Sequence, residues 1–303
     1  MNRGKTLNIK KRPYPTKKNI YIVVILIIIT FLVITVLDNM VEKDGAWKPN
    51  YSKVQLDHIV NKADLSVDDY HTLLMQTGLG KPSVDALMED TQIGTDRESL
   101  FREFQDDFFS SGYYKCGKIG WIVNEERIRN DQGQLMKGFE IPSLKDGDIL
   151  ITKATHTVGW RHGHAAIVTD STKGETLEAA LLGYNTNIQR IGKWQTYPSF
   201  LLLRLKDDIA NEIDEDKVAD EIAKFAMEFV YDIPYGLFTG IPNKAPENIN
   251  KTQCSHLVWY PYFHFGYDLD SDGSWLVTPK DIANSDLLEI VQVYGVNPEE
   301  IWP

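Results

Sequence analysis

The chain has 303 residues, with 32 Lys and Arg against 43 Asp and Glu. Seven of the basic residues and none of the acidic ones precede position 38, which leaves 25 against 43, or −18, for residues 38–303. So acidic a body argues against nucleic acid, whose affinity rests largely on phosphate neutralisation by Lys and Arg, and against docking on an anionic membrane surface.

Residues 1–19 form a basic tail with Arg3, Lys5, Lys10, Lys11, Arg12, Lys17 and Lys18. Ile20 to Leu37 come next, eighteen uncharged and almost wholly apolar positions. As a helix they reach roughly 27 Å at about 1.5 Å per residue, close to the hydrocarbon thickness of a bilayer. Asp38, Glu42 and Asp44 come after them. The positive-inside rule then predicts a cytoplasmic N-terminus and an extracytoplasmic remainder. A cleaved signal peptide is the competing reading, but Val36-Leu37-Asp38-Asn39-Met40 offers no small-x-small cleavage site. The expectation is an uncleaved anchor over 20–37 and a polar tether over 38–62.

Residues 63–140 read as a mostly helical prefix in which nothing demands catalysis. Ser66-Val67-Asp68-Asp69 is a capping-box-like start leading into Tyr70, Leu73 and Leu74. Thr77-Gly78-Leu79-Gly80-Lys81-Pro82 is a break, and Ser83 precedes a short helix through Val84 and Leu87. Thr95-Asp96-Arg97-Glu98 is a second box, opening a helix with Leu100, Phe101, Phe104 and Phe108 on roughly one face.

From Lys145 the pattern changes to short strands separated by turn residues: 148–151, 165–168, 176–179, 187–191 and 200–205. Their spacing suits a small antiparallel sheet or barrel. Asp214 to Val230 is amphipathic, with Val218, Ile222, Phe225, Ala226 and Phe229 at helical spacing, and an irregular loop over 234–253 leads into a last apolar helix beginning at Cys254. The fold class is therefore α+β, a small antiparallel sheet packed on helices, behind a helical prefix and one transmembrane helix.

Cysteine is rare, occurring only at 116 and 254. Cys254 falls in the first turn of a helix built on Leu257, Val258 and Tyr262, where the positive end of the helix dipole favours a thiolate, the nucleophilic form. Two alternatives stay open: a buried small side chain, and a disulfide with Cys116 outside the membrane. His164 heads the strand Ala165-Ala166-Ile167-Val168 and is a candidate base, with His156 and His162 as rivals. The three histidines also suggest a metal, but a spacing of two residues on one strand without matching acidic or Cys ligands is weak for zinc, so no metal is expected there. Glu178 lies fourteen residues beyond His164 on the next strand. If those strands form a hairpin, its carboxylate reaches the second imidazole nitrogen and fixes the ring. Asp268-Leu269-Asp270-Ser271-Asp272-Gly273 begins like a calcium loop, but its twelfth position is Pro279 rather than Glu, which leaves ordinary Asx and Gly turn chemistry as the expectation.

The order Gly147-Asp148-Ile149-Leu150, Gly163-His164-Ala165-Ala166-Ile167-Val168, Leu177-Glu178-Ala179, Pro234-Tyr235 and Cys254-Ser255-x-Leu257-Val258-Trp259 resembles the permuted papain-like amidases. These are the YiiX- and YycO-like relatives of the NlpC-type cell-wall peptidases, in which the His strand precedes the Cys helix. The resemblance covers about residues 145–290, and Gln76 to Lys81 resembles part of the helical prefix of YycO-like proteins. It implies a catalytic domain over 141–303 with Cys254 as nucleophile, His164 as base and Glu178 as orienting residue. Tyr235 and Ser255 would shape the oxyanion or substrate region, and no cofactor is implied. His256 departs from the Glu or Gly of many relatives. Two residues from Cys254 on a helix, it faces elsewhere and is not expected to be the base. The implied activity is a membrane-anchored extracytoplasmic cysteine hydrolase, an amidase or peptidase for peptidoglycan peptide amides. A lipid-directed acyl hydrolase or transferase is an alternative, since permuted relatives include acyl-lipid enzymes. A non-catalytic anchored binding module with a structural Cys254 is the rival from another class.

Overall fold

A computed structural model of the chain describes residues 17–42, 45–91, 93–110, 114–119, 123–206, 209, 215–241 and 243–303. Most of the basic tail, and Asp214 at the start of the amphipathic segment, lie outside the described residues. The first helix, α1 (Lys17–Glu42), is exposed along its apolar length, and its Asn19–Val41 segment is long and apolar enough to cross a membrane.

The helix does not give way to a loose tether. It continues past Asp38, whose Oδ1 accepts the backbone N–H of Gly159 at 2.8 Å and whose Oδ2 accepts Asn124 Nδ2 at 2.9 Å. Trp47 N–H donates to Gly295 O at 2.8 Å, and α2 (Asp57–Val60) buries Ile59 and Val60 beside Leu56. Paired polar groups and buried apolar side chains fasten this segment to the body, and such contacts between distant stretches leave no local sequence pattern.

The prefix begins as its sequence suggests. Ser66 caps α3 (Val67–Thr77) in a reciprocal box with Asp69, and Gly78, at φ 73°, ends it in the left-handed conformation. Then α4 (Lys81–Asp90) starts after Gly80 rather than at Ser83, which lies inside it. The helix α5 (Thr95–Phe109) starts after Gly94, which has no side chain to cap it, so Thr95 lies inside the helix and Glu98 accepts Asn61 Nδ2 at 2.6 Å. The expectation of a mostly helical 63–140 fails beyond Phe109. Strands β1 (Tyr114–Lys118) and β2 (Val123–Ile128) form a hairpin that pairs with β4 (Thr155–Thr157) in a three-stranded antiparallel sheet. Phe108 and Ile128 join the main cores, so the prefix packs against the body of the protein.

The larger sheet is antiparallel, in the order β7-β6-β5-β3-β8-β9. Its strands are β3 (Ile149–Thr152), β5 (His164–Asp170), β6 (Glu175–Glu178), β7 (Asn187–Arg190), β8 (Phe200–Leu205) and β9 (Leu288–Tyr294). Five of these answer to the strands read from the sequence. The sixth, β9, returns from the far end of the chain. Side chains alternate between faces, so Ile149, Ile151, Ala165, Ile167, Leu201 and Leu203 meet the helices on one side. Leu150, Ala166, Val168 and Leu202 meet Trp194, Tyr197 and Phe200 on the other. With both faces covered, the central strands lose polar alternation and read as continuous apolar runs. The helices on the first face are α6 (Glu215–Phe229) and α7 (Cys254–His264), succeeded by the short α8 (Pro279–Ala283). α7 packs against β5, which sets the N-terminus of the one beside the start of the other.

Candidate active site

Gly163 places His164 at the head of β5. It adopts φ 70°, and its Cα passes so close to Trp302 and to the carbonyl of Thr152 that a Cβ would sit 2.7 Å from that oxygen. Strand pairing does the rest: Ala166 is opposite Glu178, so the hairpin of β5 and β6 brings Glu178 alongside His164. His164 Nε2 donates to Glu178 Oε2 at 2.8 Å.

Cys254 is the first residue of α7. Its thiol lies close enough to His164 to raise the imidazole, and since Nε2 of that ring is on Glu178, Nδ1 is the nitrogen left to face the sulfur. Cys254 and His164, ninety residues apart in sequence, and Glu178 thus form a continuous chain from sulfur to imidazole to carboxylate. The two cysteines are not joined in a disulfide, and Cys254 retains 7 % of its surface.

The electrostatics favour a charged His164–Glu178 pair. Burial disfavours a charged His164, but hydrogen bonds to Cys254 and Glu178 and the charge of Glu178 outweigh it and raise the imidazole to about 9. Burial likewise opposes charge on Glu178, yet His164 and Lys193 hold that carboxyl well below the ordinary range. Glu178 is fully buried and fully satisfied. Besides His164, Oε2 accepts Lys193 Nζ at 2.7 Å, while Oε1 accepts Trp194 Nε1 at 2.9 Å and Thr176 Oγ1 at 3.1 Å. Trp194 also stacks on the His164 ring, centroids 5.4 Å apart and planes 9° apart. Lys193 and Trp194 come from a 3-10 turn over Ile191–Thr196, and no motif or periodicity in the sequence marks them.

Gln253 caps α7. Its Oε1 accepts the Ser255 N–H at 3.1 Å and stands 3.6 Å from Cys254 Sγ, while its Nε2 donates to Val277 O at 3.1 Å. The polar Thr252-Gln253 lead-in is the sequence signal for it. Ser255 is a correction: it is fully buried, its N–H is taken by Gln253, and its hydroxyl donates to Val277 O at 2.7 Å. Neither group is free to meet a substrate. The N–H of Cys254 itself, which a helix cannot satisfy at its first position, is the oxyanion donor this geometry offers. Tyr235 lies next to the loop end, bridged to Thr252, and its phenol is held above its ordinary value by burial and by the neighbouring Cys254. It borders a cleft of about 660 Å³ lined by Leu182, Leu237, Phe238, Ile241 and Ile249.

The other histidines are engaged elsewhere. His256 donates from Nε2 to Lys244 O at 2.8 Å and accepts Thr252 Oγ1 at Nδ1, and burial holds its imidazole below the ordinary value. His162 lies 3.1 Å from Thr157 Oγ1 and 2.8 Å from Gly163 O. His156 is beneath β1, 3.5 Å from Cys116 Sγ. Among the described residues, His156, His162 and His164 are not grouped as Asp270, Asp272 and Asp281 are, whose ligand atoms lie within 4.8 Å of one another. No protein-family model, curated protein or solved structure matches the chain.

Proposed function

We propose that the chain is a membrane-anchored cysteine hydrolase, an amidase or peptidase of permuted papain-like design whose domain lies outside the cytoplasm. The observation that carries this reading is the contact chain Cys254–His164–Glu178 at the N-terminus of α7. The Cys254 thiolate attacks the amide carbonyl, and the oxyanion forms against the Cys254 N–H. His164 gives its proton to the departing amine as the C–N bond breaks, leaving a thioester. Water then adds to that thioester, passing a proton to His164, and the acid leaves as the thiol re-forms. Glu178 keeps the ring aligned throughout. The resemblance to cell-wall peptidases makes the peptide of the cell wall the amide to test. Incubating the full-length chain in detergent with purified wall fragments tests this. New amino groups appear with the native chain and not with Cys254→Ala; identical product profiles overturn the reading.

The cleft beside Tyr235 favours a second substrate class. Its apolar lining, with Phe238 73 % exposed and Leu182 65 % exposed, suits an acyl chain better than a stem peptide. A long-chain N-acyl amide turned over faster than its acetyl counterpart would assign the enzyme to lipid amides or esters.

A further inference from the structure

The loop joining α7 to α8 carries an acidic cluster that the hydrolytic site does not use. One carboxylate oxygen from each of Asp270, Asp272 and Asp281 lies within 4.8 Å of the others. Burial, together with the charges of Asp272 and Asp270, raises the Asp281 carboxyl.

Asp270 decides how the cluster is to be read. Its side chain is wholly inaccessible. Lys244 Nζ holds Oδ2, while Oδ1 is buried without any hydrogen-bond partner. An ionised carboxylate only accepts, and the neighbouring groups, Asp272 and Asp281, are acceptors too. A buried oxygen in that position is costly unless a cation answers it. Asp281 is prepared in the same way: its Oδ2 accepts Thr278 N and Oγ1, both at 2.7 Å, which leaves Oδ1 for an ion.

We propose that Asp270, Asp272 and Asp281 bind a calcium ion that ties the α7–α8 loop to the start of α8. Hard oxygen donors select calcium, magnesium or manganese over softer metals. Calcium tolerates irregular shells at about 2.3–2.6 Å, which suits carboxylates drawn from a loop and a helix, whereas magnesium demands a near-ideal octahedron at about 2.0–2.1 Å. The site is not an EF-hand. Asp268, at the first position of such a loop, already accepts Trp259 Nε1 at 2.7 Å, and Asp281 of the following helix supplies the third carboxylate. Waters complete the shell. The ammonium of Lys244 opposes the ion and sets the affinity in the range of extracellular modules, about 10⁻⁴ to 10⁻³ M.

The loop touches the candidate active site. Val277 O, between Asp272 and Asp281, accepts both Ser255 Oγ and Gln253 Nε2, the two residues flanking Cys254. An ion that orders the loop therefore stiffens the support of the nucleophile. This consequence rests on the hydrolase reading; the binding site does not.

The test uses the full-length chain in detergent, freed of metal by chelation and titrated with calcium chloride by calorimetry and by thermal unfolding. One ion binds per chain with a Kd of about 0.1–1 mM, and the unfolding midpoint rises with calcium. Asp272→Asn, at an exposed position, weakens binding at least tenfold, and Lys244→Gln strengthens it. Magnesium chloride binds at least tenfold more weakly, and equal binding overturns the choice of calcium. No heat and no shift of midpoint at about 10 mM calcium, roughly ten times the weakest expected Kd, or titrations identical for native and Asp272→Asn chains, overturn the site. Binding is read without substrate, so a chain that binds calcium but hydrolyses nothing overturns the hydrolase and leaves the site standing.

Discussion

Trp194 lies flat on His164, ring planes 9° apart, while its indole N–H donates to the carboxylate that orients the same imidazole. One side chain thus fixes the ring in two ways, by covering its face and by holding Glu178. Trp194→Phe keeps a ring against the face and removes the hydrogen bond to a charged group, worth about 1.5–3 kcal/mol. The expected outcome is a roughly tenfold slower alkylation of Cys254 by iodoacetamide at neutral pH, as a loss of about 1.4 kcal/mol of ion-pair stability would give. Peptide-resolved mass spectrometry reads it, with Cys116 as the internal standard. A lowered unfolding midpoint with an unchanged alkylation rate would reduce Trp194 to a packing role.

The raised imidazole has a consequence for stability. His164 titrates near 9 in the folded chain against 6.5 ordinarily, so the folded state binds this proton more tightly than the unfolded one. Its contribution is therefore complete below the ordinary value and is lost as pH rises through about 9. Other groups titrate in that range, and the comparison with Glu178→Gln isolates this one. The gap in unfolding midpoint between native and variant chains is expected to be widest near pH 6 and to narrow by pH 10. A gap independent of pH would remove the charged imidazole from the account. Amide hydrolysis should show an alkaline limb near 9 that moves to lower pH in the same variant.

Much of this site is legible in the chain because its members stand at the ends of regular elements. Cys254 begins an apolar helix, His164 leads from a glycine into an apolar strand, and Glu178 lies one hairpin further on. Periodicity and turn residues mark such boundaries. Lys193 and Trp194 have no such mark. They sit in a 3-10 turn, and only packing over the sheet carries them to Glu178. The same limit explains the strands hidden in the prefix. Tyr-Lys-Cys-Gly-Lys of β1 has no fully buried residue and only a weak apolar alternation, and β4 is three residues long, too short to show a period. Ser255 misleads for the opposite reason. Its place beside Cys254 suggests chemistry, but a helix turns adjacent residues about 100° apart, and this one faces Val277.

Gly163 is the backbone counterpart of these contacts. A Cβ there would meet Trp302 and the Thr152 carbonyl, and the φ of 70° disfavours any other residue. The left-handed conformation alone costs an alanine about 1–2 kcal/mol, and the backbone oxygen has little room to yield. Gly163→Ala is therefore expected to lower the unfolding midpoint and, by displacing His164, to slow Cys254 alkylation. Shortening the chain by Trp302 and Pro303 relieves one of the two clashes and should restore only part of the loss. Full recovery would place the whole constraint on the tryptophan.

Asp148 and Arg204 form a buried pair at the opposite end of β3 from His164. Arg204 Nε and Nη2 donate to Asp148 Oδ1 and Oδ2 at 2.7 and 2.8 Å, and the side chains retain 8 % and 1 % of their surface, Arg204 and Asp148 respectively. Burial holds the Asp148 carboxyl above its ordinary value even with the guanidinium in place. Arg204→Met leaves that carboxylate in the core with the Lys145 N–H as its remaining hydrogen bond, at a cost of about 3–5 kcal/mol. The folded-state pKa then rises further, so the variant regains stability relative to the native chain as pH falls and the carboxyl takes up its proton. Thermal unfolding at pH 8 and pH 5 reads this as a deficit that shrinks in acid. The double variant Asp148→Leu with Arg204→Met should unfold closer to the native chain than Arg204→Met alone does, because an apolar pair strands no charge. A double variant as unstable as the sum of the two single ones would show that the strands need the pair for its shape and not only for its neutralised charge.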